Sequence, residues 1–395
     1  MQYRFSKNIL STPKSFIREI LKFTQTPDII SFAGGLPNKV YFPVDAVREA
    51  ADKVLCEHGQ EALQYTTTEG YDPLREFIVT RYKNRGIEIT KDEILIVSGS
   101  QQALDLSGKV FLDTGNHVVI EKPGYLGAIQ AFSIFSPHFH EVSLNTDGID
   151  ISELKEAIKK YNPKFFYATP NFQNPSGLTY SLENRKSAAE VLKDTETVII
   201  EDDPYSEIRF LGEHLPPVKK FAHNNSILLG SFSKIVAPGL RIGWACAPKQ
   251  IMEKLVIAKQ AADLHTNYLA QRVLCQYLYD NDIDKHIARI RAGYLAQRTA
   301  MIEAMGEYFP EDITYTQPEG GMFLWVTMPE GFSAMELLDV AVKYHVVFVP
   351  GEPFYADGRK SNSMRLNYTC SDEKTIREGI KRLSNAIKEY AAKKR

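Results

Sequence analysis

The segment Leu228-Leu229-Gly230-Ser231-Phe232-Ser233-Lys234-Ile235-Val236-Ala237-Pro238-Gly239-Leu240-Arg241-Ile242-Gly243-Trp244 carries the sharpest chemistry in the chain. An apolar run leads into two hydroxyls and a lysine, then a Pro-Gly turn and an arginine. A lysine at a strand end among apolar residues loses part of its hydration, which favours the neutral amine that attacks a carbonyl. Ser231, Ser233 and Arg241 suit a phosphate. Upstream, Val198-Ile199-Ile200-Glu201-Asp202-Asp203-Pro204-Tyr205 sets a carboxylate, Asp202, just past a buried run and a phenol three residues later. Such a carboxylate can pair with a protonated ring nitrogen, and such a phenol can hydrogen-bond a ring oxygen.

Three further segments also end apolar runs. Ser98-Gly99-Ser100-Gln101-Gln102 opens a helical stretch whose first amides and positive dipole end can receive phosphate. Glu121-Lys122-Pro123-Gly124-Tyr125 offers an aromatic face for a flat ring, and Asn171-Phe172-Gln173-Asn174-Pro175-Ser176-Gly177 closes another run with an Asn-Pro turn. Taken singly, each reads as well or better as a surface lysine, an acidic loop, a packing tyrosine, a common turn or a helix cap. Their meaning comes from their company.

The elements that must position these residues follow from hydrophobic pattern. Short apolar runs at 94–97, 118–120, 165–168, 198–200, 227–229 and 242–246 alternate with amphipathic stretches, as in a sheet covered by helices on both faces. Runs at 322–326, 346–349 and 364–368 predict strands of a smaller α+β unit, closed by a helix carrying Ile376, Ile380, Leu383 and Ile387 on one face. Pattern changes divide the chain into an N-terminal segment 1–45 that packs with the small domain, a large domain 46–290, and a small domain 291–395.

Composition excludes several classes. The 395 residues carry 47 basic and 49 acidic side chains, a formal net charge of −2 that gives no general attraction to nucleic acid or anionic membrane. Cys56, Cys246, Cys275 and Cys370 lie far apart without a CxxC pair, so free thiols in a reducing, cytoplasmic setting are expected. No signal-peptide core or membrane-length apolar run is found. The nine histidines show no ligand spacing, so no metal is expected, and no Gly-x-Gly-x-x-Gly marks a nicotinamide site.

In order along the chain stand Gly34-Gly35-Leu36-Pro37, Leu63-Gln64-Tyr65 with Gly70 and Leu74-Arg75, Ser98-Gly99-Ser100-Gln101, Tyr125, Asn174-Pro175-Ser176-Gly177, Asp202 with Tyr205, Ser231-Phe232-Ser233-Lys234 with Arg241, and Arg365. This set, spread over nearly the whole chain, resembles the fold type I, pyridoxal-phosphate-dependent aminotransferases of the class I and II family, in the branch of 2-aminoadipate and kynurenine aminotransferases. The resemblance implies an α/β fold whose large domain holds a mostly parallel seven-stranded sheet, with a smaller α+β domain built from both chain ends.

By the same resemblance, Lys234 carries the cofactor as a Schiff base and moves the substrate proton. Asp202 pairs with the pyridine nitrogen, Asn174 and Tyr205 bind the ring 3′ oxygen, and Tyr125 stacks on the ring. Ser100, Gln101, Ser231, Ser233 and Arg241 take the phosphate, and Tyr65 reaches in from the partner subunit of a homodimer. Arg365 clamps the substrate carboxylate beside Asn174 and Gly35. Arg18, in Ser15-Phe16-Ile17-Arg18-Glu19-Ile20, resembles the covering helix of that branch and is the candidate cation for a distal carboxylate. The implied activity is ping-pong transfer of an amino group from an L-amino acid to a 2-oxo acid such as 2-oxoglutarate.

Two rivals are weaker. The same cofactor can support decarboxylation, β-elimination or racemisation, because the protein chooses the bond by orientation. Transcription regulators set an aminotransferase-like domain behind a winged helix, but here the pattern already runs by Gly34 and no nucleic-acid partner is expected.

Overall fold

The computed structural model describes residues 3–12 and 28–394. After a two-residue strand β1 (Ile30–Ser31), the chain lays down β2 (Ile94–Val97), β3 (His117–Lys122), β4 (His138–Asn145), β5 (Gly148–Ile149), β6 (Phe165–Ala168), β7 (Val198–Asp202), β8 (Ser226–Ser231) and β9 (Gly243–Cys246). Strands β2 to β9 form one sheet in the order β2-β9-β8-β7-β6-β3-β4-β5. β3 pairs in parallel with β4 and β6, β6 with β7, and β7 with β8, whereas β9 runs antiparallel to both β8 and β2. Seven strands make up the expected sheet, and the two-residue β5 adds an eighth antiparallel to the edge of β4.

The apolar runs fold as strands because both of their faces are covered. Alternation sends Val119, Phe166 and Ile199 to one side, against Leu154, Ala188 and Leu192. Ile120, Tyr167 and Ile200 go to the other, with Leu104, Phe132 and Leu229. Parallel pairing brings the carboxyl ends of β3, β6, β7 and β8 to one edge of the sheet, where ligands of open α/β sheets bind. Every chemical segment read from the sequence between residues 98 and 241 leaves the sheet there or beside it.

A second sheet, of order β10-β11-β14-β13, comprises β10 (Thr314–Tyr315), β11 (Phe323–Thr327), β13 (Val349–Pro350) and β14 (Ser363–Asn367), all antiparallel. Strand β12 (Val346–Val347) instead pairs with β1 in parallel, Ile30 opposite Val346, which fastens the segment leading to Gly34 and Gly35 onto the C-terminal part of the chain. The helix Glu373–Lys394 buries Ile376, Ile380, Leu383 and Ile387 as its periodicity requires. The helix Ile283–Tyr308 runs through residue 290 and packs along it. Among the described residues no helix is long and apolar enough to cross a membrane.

Candidate active site

β8 ends in Gly230 and Ser231. A Cβ at Gly230 would stand 2.2 Å from the Trp244 ring, so only glycine lets the strand pass that indole. The backbone then turns, with Ser233 N donating to Ser231 Oγ at 3.1 Å, and presents Lys234. Its Nζ donates to the Gly35 carbonyl at 3.1 Å. Burial, helped by the Arg365 and Arg241 charges and opposed by Cys370 and Asp202, pushes the amine down to about 8, so a proton leaves it readily near neutral pH.

Asp202, the last residue of β7, is 3% exposed. Tyr167 Oη donates to its Oδ2 at 2.9 Å, while Oδ1 is buried with no partner among the described residues. Burial raises this carboxyl to about 7. Tyr205 is buried nearby and hydrogen-bonds Asn174, and its phenol is raised by burial, by Tyr125 and by Asp202. Tyr125, at the start of the helix Leu126–Ser133, is pushed up to about 12 by burial and Asp202. Both phenols therefore stay protonated and can donate.

Arg365 comes from β14, 191 residues after Asn174, and is 1% exposed. Its Nη1 donates to Asn174 Oδ1 at 2.9 Å and its Nη2 to the Ala33 carbonyl at 2.7 Å, and the guanidinium lies 4.2 Å over the Phe323 ring. Burial lowers it to about 10, and its Nε has no partner among the described residues. The segment 33–35 thus holds Arg365 through one carbonyl and Lys234 through another.

A cradle lies beside Lys234. Gly99, at φ 79, precedes the helix Ser100–Phe111, whose first amides receive no side-chain cap. A Cβ at Gly99 would meet Arg241 Nη2 at 2.2 Å, and one at Gly243 would meet Ser100 N at 2.9 Å and the Gly230 carbonyl at 2.7 Å. Arg241, itself left-handed at φ 53, donates through Nη2 to the Ser98 carbonyl at 3.1 Å. Gly99 and Gly243 thus let the Arg241 guanidinium and the end of β8 pack directly against the start of that helix, where uncapped amides and a cation stand together as an anion site requires. Gln101 Nε2, by contrast, is occupied with the Gly127 carbonyl at 2.9 Å.

Residues 28–383 match the aminotransferase class I and II family. The chain belongs to that family. It is 43% identical over 98% of its length to aromatic-amino-acid aminotransferase 1 of Thermococcus litoralis, 95% of which is covered. Its fold is similar to that of Pyrococcus horikoshii kynurenine aminotransferase, solved with PMP, at TM-score 0.93 and 44% identity, covering 98% of this chain and 97% of that one. It is likewise similar to Thermus thermophilus α-aminoadipate aminotransferase, solved with N-(5′-phosphopyridoxyl)-L-leucine, at TM-score 0.91 and 42% identity, covering 98% of each.

As a member of the family the chain is a pyridoxal-phosphate-dependent transaminase acting on amino and 2-oxo acids. Its residues fit that cofactor: the buried Asp202 Oδ1, without a partner among the described residues, suits a ring N–H, and the uncapped first amides of the helix Ser100–Phe111 beside Arg241 suit a phosphate. Tyr65 is not gathered at Lys234; it is 77% exposed, with its ring edge-on to His265 at 5.8 Å. Arg18 lies outside the described residues.

Sequence reasoning missed the residues that tie the strand ends together. Glu121, fully buried and raised to about 7 by burial, accepts from Tyr180 Oη at 2.6 Å, Gln173 Nε2 at 3.1 Å and Thr169 N at 3.1 Å. Gln173 Nε2 also donates to the Pro123 carbonyl at 2.7 Å, and its Oε1 accepts from Ser176 N at 2.8 Å. This pair locks the Tyr125 turn to the Asn174 loop. The available signal was a glutamate and a glutamine inside otherwise apolar strand ends, where a buried polar group needs partners.

Proposed function

We propose that this transaminase moves the amino group of an L-amino acid of aromatic, aliphatic or 2-aminoadipate type to a 2-oxo acid such as 2-oxoglutarate, in two half-reactions at one site. The observation that carries this reading is that the segment 33–35 holds both Lys234 and Arg365, with the charge of the buried Asp202 acting on Lys234. The substrate range rests on the relatives, which include an aromatic-amino-acid enzyme and an α-aminoadipate enzyme solved with a leucine adduct.

Lys234 would hold the cofactor and, once released, would take the proton from the substrate α carbon at Nζ and give it back two atoms further along, beyond the shared nitrogen. Its amine, down at about 8, is matched to that exchange. Bound pyridoxal phosphate supplies the aldehyde that condenses with the amino acid and the conjugated ring that draws electrons from the broken C–H bond. Asp202 keeps a positive charge on the ring nitrogen through Oδ1, while Asn174 and Tyr205 hold the ring oxygen. Tyr125 covers the ring. Ser100, Ser231, Ser233 and Arg241 hold the phosphate together with the backbone amide of Gln101, whose side chain is taken by the Gly127 carbonyl. Arg365 grips the α-carboxylate in its planar fork and so fixes the α carbon, which favours transfer over loss of the carboxylate. The active unit is a homodimer in which the exposed Tyr65 serves the neighbouring site; light scattering at assay concentration reads a dimer, and full activity in a monomer contradicts it.

The decisive experiment offers a panel of aromatic, aliphatic and dicarboxylic amino acids with 2-oxoglutarate to the parent chain and to Lys234→Ala. The parent transfers amino groups and the variant, folded, does not. Transfer by Lys234→Ala at the parent rate overturns the assignment.

A further inference from the structure

Tyr167 stands on β6 opposite Ile200 of β7 and is 1% exposed. Its ring is fixed edge-on against Phe132, with centroids 5.9 Å apart at 72°, so its hydroxyl has little freedom. That hydroxyl lies 2.9 Å from Asp202 Oδ2 and 3.4 Å from Thr169 Oγ1, so the carboxylate is its closer partner. A carboxylate rotates easily about its terminal torsion. One oxygen pinned by a rigid donor pins the other.

We infer that Tyr167 is a positioning residue for the cofactor: by donating to Asp202 Oδ2 it holds the carboxylate charged and turned so that Oδ1 meets the ring nitrogen. The inference rests on the proposed pairing of Asp202 with that nitrogen. Burial keeps the Tyr167 phenol far above its ordinary range, so it remains a donor at every working pH. The other titratable groups acting with Asp202 are its neighbour Asp203, Lys234 beyond β8, Tyr125, Tyr205 and Glu121. Of these and Tyr167, only Tyr167 is hydrogen-bonded to it.

The test compares the holoenzymes of the parent, Tyr167→Phe, Asp202→Asn and the double variant. Tyr167→Phe keeps the ring and removes the donor. It is expected to lower kcat and apoprotein affinity for pyridoxal phosphate by roughly 10- to 100-fold, the usual cost of losing a group that orients a ligand, with a small change in KM. The pH midpoint of the bound cofactor's absorbance is expected to rise, because a ring that loses positive charge repels the distant proton less. In the Asp202→Asn background the same substitution is expected to change none of these. An unchanged midpoint in Tyr167→Phe alongside a shifted one in Asp202→Asn overturns the inference, as does an effect of Tyr167→Phe that persists undiminished in the double variant. An unchanged midpoint in Asp202→Asn overturns the underlying pairing instead. If Tyr167→Phe does not fold, 3-fluorotyrosine at position 167 reports through its fluorine resonance. That resonance is expected to move on cofactor addition to the parent and much less in Asp202→Asn; equal movement in both overturns the inference.

Discussion

At the end of β7, Glu201 and Asp202 leave the strand on opposite faces, as alternation requires. Both are buried, at 0% and 3% exposure, and burial raises both carboxyls to about 7. Their surroundings differ. Glu201 accepts from Val218 N and Lys219 N, each at 2.9 Å, and feels the charge of Arg185. Arg185 is itself fully buried and donates to the carbonyls of Tyr180, Pro170 and Pro216 and to Asn171 Oδ1. Asp202 has Tyr167 on one oxygen and, among the described residues, nothing on the other. A buried acceptor without a partner costs on the order of 1–3 kcal/mol. At this strand end Glu201 is therefore satisfied by folding alone, whereas the open oxygen of Asp202 is the one that the proposed cofactor pairing completes.

The largest way to break this comparison is Asp202→Asn. It should slow α-proton abstraction by on the order of 3–4 kcal/mol, the scale for removing one preorganised electrostatic partner of a developing charge. Apoprotein stability should hold or improve, since a buried carboxyl with an open oxygen is removed. Single-turnover absorbance and a denaturant melt check both halves; an unchanged rate, or a lost fold, breaks the contrast. Glu201→Gln should do the reverse. An amide nitrogen would face backbone N–H groups that need acceptors, costing about 1–3 kcal/mol of stability. The folded enzyme should keep its kcat, and a parent-like melting curve would show that Glu201 is not structural.

The two faces also differ in how far the sequence revealed them. Strands β2, β3 and β6 to β9 were legible because both faces of each are buried, which leaves an apolar run. β4 was not: His138–Asn145 is covered on its outer side only at Leu144 and Asn145 by the short β5, is half-exposed along most of its length, and its histidines, glutamate and serine hide the pattern. At the site, Lys234, Asp202, Asn174, Arg241 and Arg365 were legible as residue types in order. Their meeting was not, since Lys234 touches Gly35 across 199 positions and Arg365 touches Asn174 across 191. Tyr167, Glu121 and Gln173 escaped notice because their work is done across strand ends that only the sheet order brings side by side.

The smallest effect separates the faces by pH. Asp202, Glu201 and Glu121 have ordinary values of 3.8, 4.5 and 4.5 and stand at about 7 when folded. Between these limits the folded apoprotein binds more protons than the unfolded chain, so its stability falls as pH rises from about 4 to 7. Lys234 moves the other way, from 10.5 to about 8, so the unfolded chain binds the extra proton and stability recovers between pH 8 and 10.5. Allowing for relaxation and water entry, each group should contribute on the order of 1 kcal/mol to these slopes. Asp202→Asn and Glu201→Gln should each flatten the acidic slope of the apoprotein. In the proposed pairing, pyridoxal phosphate gives Asp202 Oδ1 a partner and leaves Glu201 untouched. Loading the parent should therefore flatten the slope between pH 4 and 7 much as Asp202→Asn does. Loading Asp202→Asn should flatten it no further, while loading Glu201→Gln should still remove the Asp202 share. Melting curves across that range, with and without cofactor, decide it, and a cofactor-dependent slope that survives unchanged in Asp202→Asn would place the ligand's partner elsewhere.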